Sequence, residues 1–315
     1  MLFRLLAIPN LHLYVNASLA RSTRFEIGGP ARALVDADDE NALAQAWTAI
    51  KESGWSKTVI GGGTNLIVSD DGFPGAVVRY TGASIEFDGT KVRVGAGARL
   101  QDLVDASIAR GLRGLETMTG IPGWVGGAIY GNAGAYGHSI QERVESVRFF
   151  DGREFREIAN AECEFRYRES VFKRRKEWII VSAALRLEDA GGEDLASAAG
   201  SILKIRNAKY PPEMRCAGSI FKNLMLADLP EEARARVPAA VVREGKVPSA
   251  YFLEQAGAKG LEDGAIRVAD YHANLIYNTG GGTARQLRAM ICELKRRVRV
   301  EFGMELEEEV QYVGG

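Results

Sequence analysis

GIPGWVGGAIYGNAGAYG, residues 120–137, carries seven glycines in eighteen positions, interleaved with Ile, Pro, Trp, Val and Tyr. Those apolar residues are not the composition of a flexible linker, so the glycines serve backbone geometry: positive φ, or main chain lying close against something with no Cβ in the way. A second run, Gly61-Gly62-Gly63-Thr64-Asn65-Leu66, follows the strand-like KTVIG. Two glycine-rich turns exposing bare backbone N–H groups suit a large phosphate-bearing ligand, a pyrophosphate above all. Thr64, Asn65 and Asn132 add side-chain hydrogen-bonding groups.

The simplest nucleotide folds do not fit. GAGARL (95–100) lacks the third glycine of the dinucleotide fingerprint, and no acidic residue follows at the expected distance. GGGTNL is not followed by the Lys-Ser/Thr of a phosphate-binding loop.

Composition narrows the class. The 36 glycines in 315 residues exceed the usual ~7% and gather in a few places, as functional loops do. A net charge of -1 gives no basic footprint for nucleic acid, although it leaves room for a local cationic pocket. No apolar run approaches the roughly 20 residues of a membrane span. The start, MLFRLLAIPNLHLYV, is broken by Arg4, Pro9, Asn10 and His12 and reads as an arm packed on the domain, not as a signal peptide. Three cysteines without metal-ligand spacing fit a reducing compartment. A soluble cytoplasmic protein is expected, with no nucleic-acid or membrane partner and no metal.

Local signals outline the elements. Residues 40–53 read as a helix with Asp39 as N-cap, Gly54 beyond its end, and Leu43, Ala44, Trp47 and Ile50 inward. Strands follow at 76–80, 84–89 and 91–97, then a helix over 99–110. VESVRFF-DG-REFREI is a hairpin turning at Asp151-Gly152, and WIIVSAALRL (178–187) a buried strand. The polar stretch EDAGGED (188–194) is the expected domain boundary. Beyond it come a helix over about 195–207 and a long one from Thr283 to Phe302, opened by a Thr283/Gln286 capping box and stopped by Gly303. MELEEEVQYV (304–313) reads as an alternating strand, with Met304, Leu306, Val310 and Tyr312 on one face.

Taken together, GGGTNLIV (61–68), the 120–137 loop, YRES (167–170), AGSIFKN (217–223), FLEQAGAKG (252–260), HANLIYNTGGGTA (272–284), LEEEV (306–310) and STRFEIGGPA (22–31) resemble the UDP-N-acetylenolpyruvoylglucosamine reductase family, in the family's order and over nearly the whole chain. The resemblance implies an α+β protein: an arm (1–20), an FAD-binding domain of the vanillyl-alcohol oxidase type over 21–190 in two α+β subdomains (about 21–80 and 81–190), and a C-terminal α/β substrate domain over 195–315. It implies non-covalent FAD, NADPH as co-substrate, a UDP-sugar substrate and a monomer. No tyrosine-bearing lid insertion is evident, which implies the compact subclass.

Residue by residue, the resemblance implies cofactor contacts from Gly61, Gly62, Gly63, Thr64, Asn65, Leu66, Gly120, Ile121, Pro122, Gly123, Gly126, Gly127, Ala128, Asn132, Gly134 and Ala135. Ser219 matches the proton donor and Arg168 the partner of the substrate carboxylate. Glu309 matches the catalytic glutamate that the C-terminal strand brings to the site; alternation alone does not separate it from Glu307 or Glu308. Tyr167, Lys222, Asn223, Gln255 and Asn274 are candidates for substrate contacts, with core or capping roles the equal alternative for Gln255 and Asn274 and space-filling the alternative for Tyr167. The cations around Arg168, namely Arg166, Lys173, Arg174, Arg175 and Lys176, read as a solvated face. Two readings compete: another FAD oxidoreductase of this fold acting on an alcohol or hydroxy acid, with His138 as a possible covalent tether, and a non-catalytic nucleotide-binding relative.

Overall fold

The structure, a computed structural model, describes residues 1–191 and 194–314. The chain forms two compact units that are not contiguous in sequence. The first comprises Met1–Ala17, Ala31–Gly63 and Pro74–Ala208; the second comprises Ser18–Pro30, Thr64–Phe73 and Lys209–Gly315. This division differs from the contiguous one expected. Ser18–Pro30 and Thr64–Phe73 join the C-terminal unit, and the helix Leu195–Lys209 stays with the first unit through Ala208. Within the expected boundary 188–194, Gly192 and Glu193 lie outside the described residues.

The first unit holds two sheets. One orders Leu11–Ser18, Pro30–Ala37, Phe73–Tyr80 and Lys57–Val59, the last two parallel. The expected N-terminal arm therefore supplies an edge strand, and its Leu5 is fully buried. The helix Glu40–Glu52 packs on this sheet. Asp39 caps it, its carboxylate accepting from the Ala42 N–H at 2.7 Å, and Leu43, Trp47 and Ile50 meet Val35, Ala76 and Val78. Ala44 is only partly buried.

The second sheet is antiparallel throughout, in the order Phe155–Ala159, Val144–Phe150, Ile179–Arg186, Lys91–Gly95, Ile85–Asp88. The hairpin turns where expected: Phe150 pairs with Phe155, and the Asp151 carboxylate accepts from the N–H groups of Arg153 and Glu154. Leu100, Leu103 and Val104 of the helix Leu100–Ile108 share a core with Val92, Val147 and Leu185.

The second unit is built on an antiparallel sheet of Glu262–Asp263, Ile266–Ala269 and His272–Asn278. It packs with the helices Ser249–Gln255 and Ala284–Phe302. The capping box forms as read: Thr283 Oγ1 accepts from the Gln286 N–H, and Gln286 Oε1 accepts from the Thr283 N–H. Gly303, at φ 65°, ends the helix in the left-handed conformation. Leu287, Met290, Ile291, Leu294, Val298 and Phe302 are all buried. Leu294 is 0% exposed, so Leu294→Ala is expected to cost about 2–5 kcal/mol. A denaturant midpoint unchanged by that substitution would contradict this packing.

The expected strand over 304–313 needs correction. Met304 and Leu306 are buried, but the alternation breaks at 307–309, and only Gln311–Val313 is strand, parallel to Leu66–Val68. Val310 and Val313 are then buried, while Tyr312 is 41% exposed. The break has a local cause. The backbone of 307–309 hydrogen-bonds to 220–222, with Lys222 N–H donating to Glu307 O and Glu309 N–H to Ile220 O.

Candidate active site

In the first unit the long glycine segment is regular structure, not a coil. Its opening is pinned internally: the Gly120 N–H donates to Gln101 Oε1, and Gly123 O accepts from the Leu100 N–H. A short helix, Val125–Tyr130, follows, then a hairpin pairing Gly134–Ala135 with His138–Ser139.

The glycines divide by what a Cβ would meet. On Gly126 it would stand 2.9 Å from Ala96 Cβ, and on Gly62 3.0 Å from the Trp124 indole, so close packing accounts for both. Gly61 and Gly127 are different. Neither lies in the left-handed region; a Cβ on Gly127 meets nothing within 4 Å, and one on Gly61 meets only Gly127 N, at 3.9 Å. A helical glycine costs about 1 kcal/mol relative to alanine. No described residue of the protein demands glycine at either position, so bare backbone facing outward is the property that remains, and it suits a phosphate-bearing cofactor. Two hydroxyls just before the loop, Thr117 and Thr119, are buried without a hydrogen-bond partner among the described residues. Their sequence context carries no signal of this.

Asn132 is 3% exposed, and its side chain is spent inside the protein. Its Nδ2 donates to Gln141 Oε1 and Arg166 O, and its Oδ1 accepts from the Gln141 N–H. It holds the loop to the 166–169 turn instead of offering its amide outward. That turn closes by reciprocal Arg166 and Glu169 backbone bonds and places Arg168 at φ 58°, a costly conformation for a side-chain-bearing residue. The Arg168 guanidinium donates to Gly134 O at 3.0 Å and lies 5.2 Å from the Tyr167 ring centroid. Lys173 departs from the solvated face assigned to it. Its side chain is 13% exposed, and Nζ donates to Arg168 O at 2.9 Å and to Glu169 Oε1. Arg166, Arg174, Arg175 and Lys176 are exposed. His138 is exposed, its Nδ1 2.8 Å from Glu142 Oε2.

In the second unit Ser219 is half-buried on a short segment flanked on both sides. Ser219 bridges Leu275, and the Ile220 N–H donates to Asn274 O. On the other side Phe221 bridges Glu308. The Ser219 hydroxyl lies 3.0 Å from Tyr210 Oη. Asn274, 2% exposed, accepts from the Phe221 N–H at Oδ1 and donates to Phe221 O from Nδ2. It is a backbone clamp on this segment. Asn274→Ala is expected to strand two buried backbone groups, destabilising the protein by about 1–3 kcal/mol. A variant of native stability with only its affinity reduced would return Asn274 to direct ligand contact.

The three adjacent glutamates, alike in sequence, have different surroundings. Glu307 pairs with Lys222 Nζ at 2.5 Å, and Glu308 accepts from Lys295 Nζ at 2.9 Å and from the Tyr312 hydroxyl. Glu309 has its backbone held on both sides, its N–H by Ile220 O and its carbonyl by Asn65 Nδ2 at 3.0 Å. Asn65 thus serves the Glu309 segment, and the 61–66 run is divided: Gly61, Gly62 and Gly63 belong to the first unit, Thr64, Asn65 and Leu66 to the second. Asn223 and Gln255 are exposed. Burial, with Lys209 nearby, pushes the His272 imidazole down to about 4, so it is neutral at neutral pH; its Nδ1 accepts from the Asn274 N–H.

The structure thus gathers Ser219, Lys222, Asn274 and Glu309 on adjoining segments of the second unit, and Tyr167, Arg168 and the glycine loop within the first. Among the described residues no group of three or more His, Cys, Asp and Glu is placed to hold a metal, and no helix is long and apolar enough to cross a membrane.

Comparison with known proteins adds to this geometry. Residues 31–154 match the family model of an FAD binding domain, and residues 210–313 that of the UDP-N-acetylenolpyruvoylglucosamine reductase C-terminal domain. Their starts fall within a residue of where the compact units resume, at Ala31 and Lys209. The chain is 59% identical over 311 residues to a UDP-N-acetylenolpyruvoylglucosamine reductase of Solibacter usitatus, covering 99% of this chain and all of that one. It is 33% identical over 304 residues to that of Bacillus subtilis, covering 95% and 93%. The crystal structure of the Thermus caldophilus reductase superposes with a TM-score of 0.75 at 27% identity, covering 96% of this chain and 99% of that one.

Proposed function

The chain belongs to the UDP-N-acetylenolpyruvoylglucosamine reductase family of FAD-dependent oxidoreductases, and from that premise we propose that it reduces UDP-N-acetyl-3-O-(1-carboxyvinyl)glucosamine to UDP-N-acetylmuramate with NADPH as reductant. The reaction supplies a peptidoglycan precursor in the cytoplasm, and the protein acts as a monomer. Three free cysteines, two of them buried, agree with a reducing compartment.

The observation that carries this reading is the half-buried Ser219 hydroxyl, on a segment locked between the His272–Asn278 strand and the Glu309 backbone. When bound, FAD supplies the hydride that reaches C3 of the enolpyruvyl group. Gly61 and Gly127, with open space where a Cβ would stand, would offer its phosphates bare backbone. Negative charge then develops at C2 and spreads into the adjacent carboxylate as an enolate. The Arg168 guanidinium, whose planar fork matches a carboxylate, stabilises that charge. Ser219 gives its hydroxyl proton to C2. A neutral O–H is a weak acid, but it adds no negative charge to an anionic site, and C2 is strongly basic in the transient. Glu309 supports the acid step from the neighbouring segment, and Lys222, ion-paired with Glu307, offers the diphosphate a hydrogen-bond donor.

An anaerobic stopped-flow experiment tests the reading. NADPH should bleach the visible absorbance of the bound flavin, and the enolpyruvyl UDP-sugar should restore it. Recovery with an alcohol-derived carbonyl acceptor, and none with the UDP-sugar, would overturn the assignment.

A further inference from the structure

Ser219 spends its proton in every turnover and must recover it before the next. An aliphatic alkoxide is a poor species to leave in an anionic site, so the group hydrogen-bonded to Ser219 matters. That group is the Tyr210 hydroxyl, 3.0 Å from Ser219 Oγ. We propose that Tyr210 orients the Ser219 hydroxyl and returns a proton to it as Ser219 protonates C2. The inference rests on the reading of Ser219 as proton donor.

Three observations support it. Tyr210 is held rigidly. It directly follows the helix Leu195–Lys209 and precedes Pro211-Pro212, so the proline ring keeps it out of helical conformation, while its ring packs against the core of the second unit. Its ring carries a cation: Lys209 Nζ lies 4.9 Å from the ring centroid, a cation–π contact that adds to the fixing of the ring. The nearby His272, with ring centroids 6.3 Å apart, is neutral and is no source of a proton by discharge at neutral pH. A phenol is a far stronger acid than an aliphatic alcohol, so passing the deficit from Ser219 to Tyr210 lowers the cost of the step.

The transfer balances without a further reagent. The Ser219 O–H bond breaks, its proton forms the new C–H bond at C2, and the electron pair stays on Ser219 Oγ. The Tyr210 O–H proton then moves to Oγ, leaving a phenolate that solvent reprotonates. For this the bond must run from Tyr210 Oη to Ser219 Oγ, which leaves the serine hydrogen to point at substrate.

Tyr210→Phe removes one oxygen and keeps the packed ring. Expected for this variant is an unchanged rate of flavin reduction by NADPH, unchanged affinity for the UDP-N-acetylmuramate product by calorimetry, and reduction of the enolpyruvyl substrate slowed about tenfold or more. The solvent deuterium isotope effect on that half-reaction should rise, because protonation becomes limiting; a merely structural defect would slow the reaction without raising it. In a Ser219→Ala background the same change should add less than about twofold, since it acts through the serine. An unaltered half-reaction in Tyr210→Phe, or an equal further loss in the double variant, overturns the relay while leaving Ser219 in place. An unimpaired Ser219→Ala enzyme would overturn the reading of Ser219 itself, and the relay with it.

Discussion

Ser219→Ala is expected to slow reduction of the enolpyruvyl substrate by about 10²–10⁴-fold while NADPH still reduces the flavin at its normal rate. The magnitude is that of a positioned general acid, roughly 3–5 kcal/mol of barrier. The separation of the two half-reactions follows from the residue's place. Ser219 sits in the second unit on a backbone held by Leu275, Asn274 and Glu308. The hydroxyl itself makes a hydrogen bond to Tyr210, worth about 0.5–1.5 kcal/mol, so the fold should survive its loss. Rapid mixing of pre-reduced enzyme with substrate reads the effect directly. A rate within a few-fold of the parent would mean that another group, or water, protonates C2.

Gly127→Leu should give the opposite pattern: a sound apoprotein that no longer holds FAD. The new Cβ meets nothing within 4 Å in the protein, and leucine is the better helix former by up to about 1 kcal/mol, so the apoprotein should melt no lower than the parent. The side chain would occupy the space that bare backbone at Gly61 and Gly127 keeps clear, and FAD affinity should fall about 100-fold or more. FAD added to the parent should raise its melting temperature by mass action, and the variant should lose that increment. Gly126→Ala is the steric contrast. Its Cβ would stand 2.9 Å from Ala96 Cβ, so apoprotein and holoprotein should both be destabilised. If Gly127→Leu kept full flavin occupancy through gel filtration, the open face at Gly127 would need another explanation.

What was legible in the chain was what local chemistry determines. Asp39, Thr283 with Gln286, and Asp151-Gly152 act within a few residues of themselves, and each does what its spacing implies. The apolar stripe of Ala284–Phe302 is buried as read. Reading failed where a distant partner intervenes. The alternation from Met304 to Tyr312 ignores that 307–309 leaves the sheet pattern to bond with 220–222. The amide of Asn132 has the right chemistry for a ligand, but Arg166 and Gln141 claim it. Lys173 looks like one cation in a run until its ammonium is found on the Arg168 carbonyl. Ser219, Arg168 and Glu309 were singled out by motif context, not by pattern; no period or composition separates Glu309 from its neighbours. Tyr210 was missed because a tyrosine nine residues from a serine carries no signal until a chain reversal brings the hydroxyls together.

The interleaved second unit has a consequence for how the protein is made. Asn278 holds Phe25 O across 253 residues, Asp70 accepts from the first N–H groups of Ala284–Phe302 across 214, and Asn65 holds Glu309 across 244. A ribosome adding ~5–20 residues per second needs roughly 12 to 50 s to travel from Asn65 to Glu309. Through that interval Leu66–Val68 waits without the strand that will pair with it, an exposed apolar edge of the kind chaperones bind. A fragment spanning only 195–315 would wait indefinitely, since its sheet partner and the Asp70 cap both lie outside it.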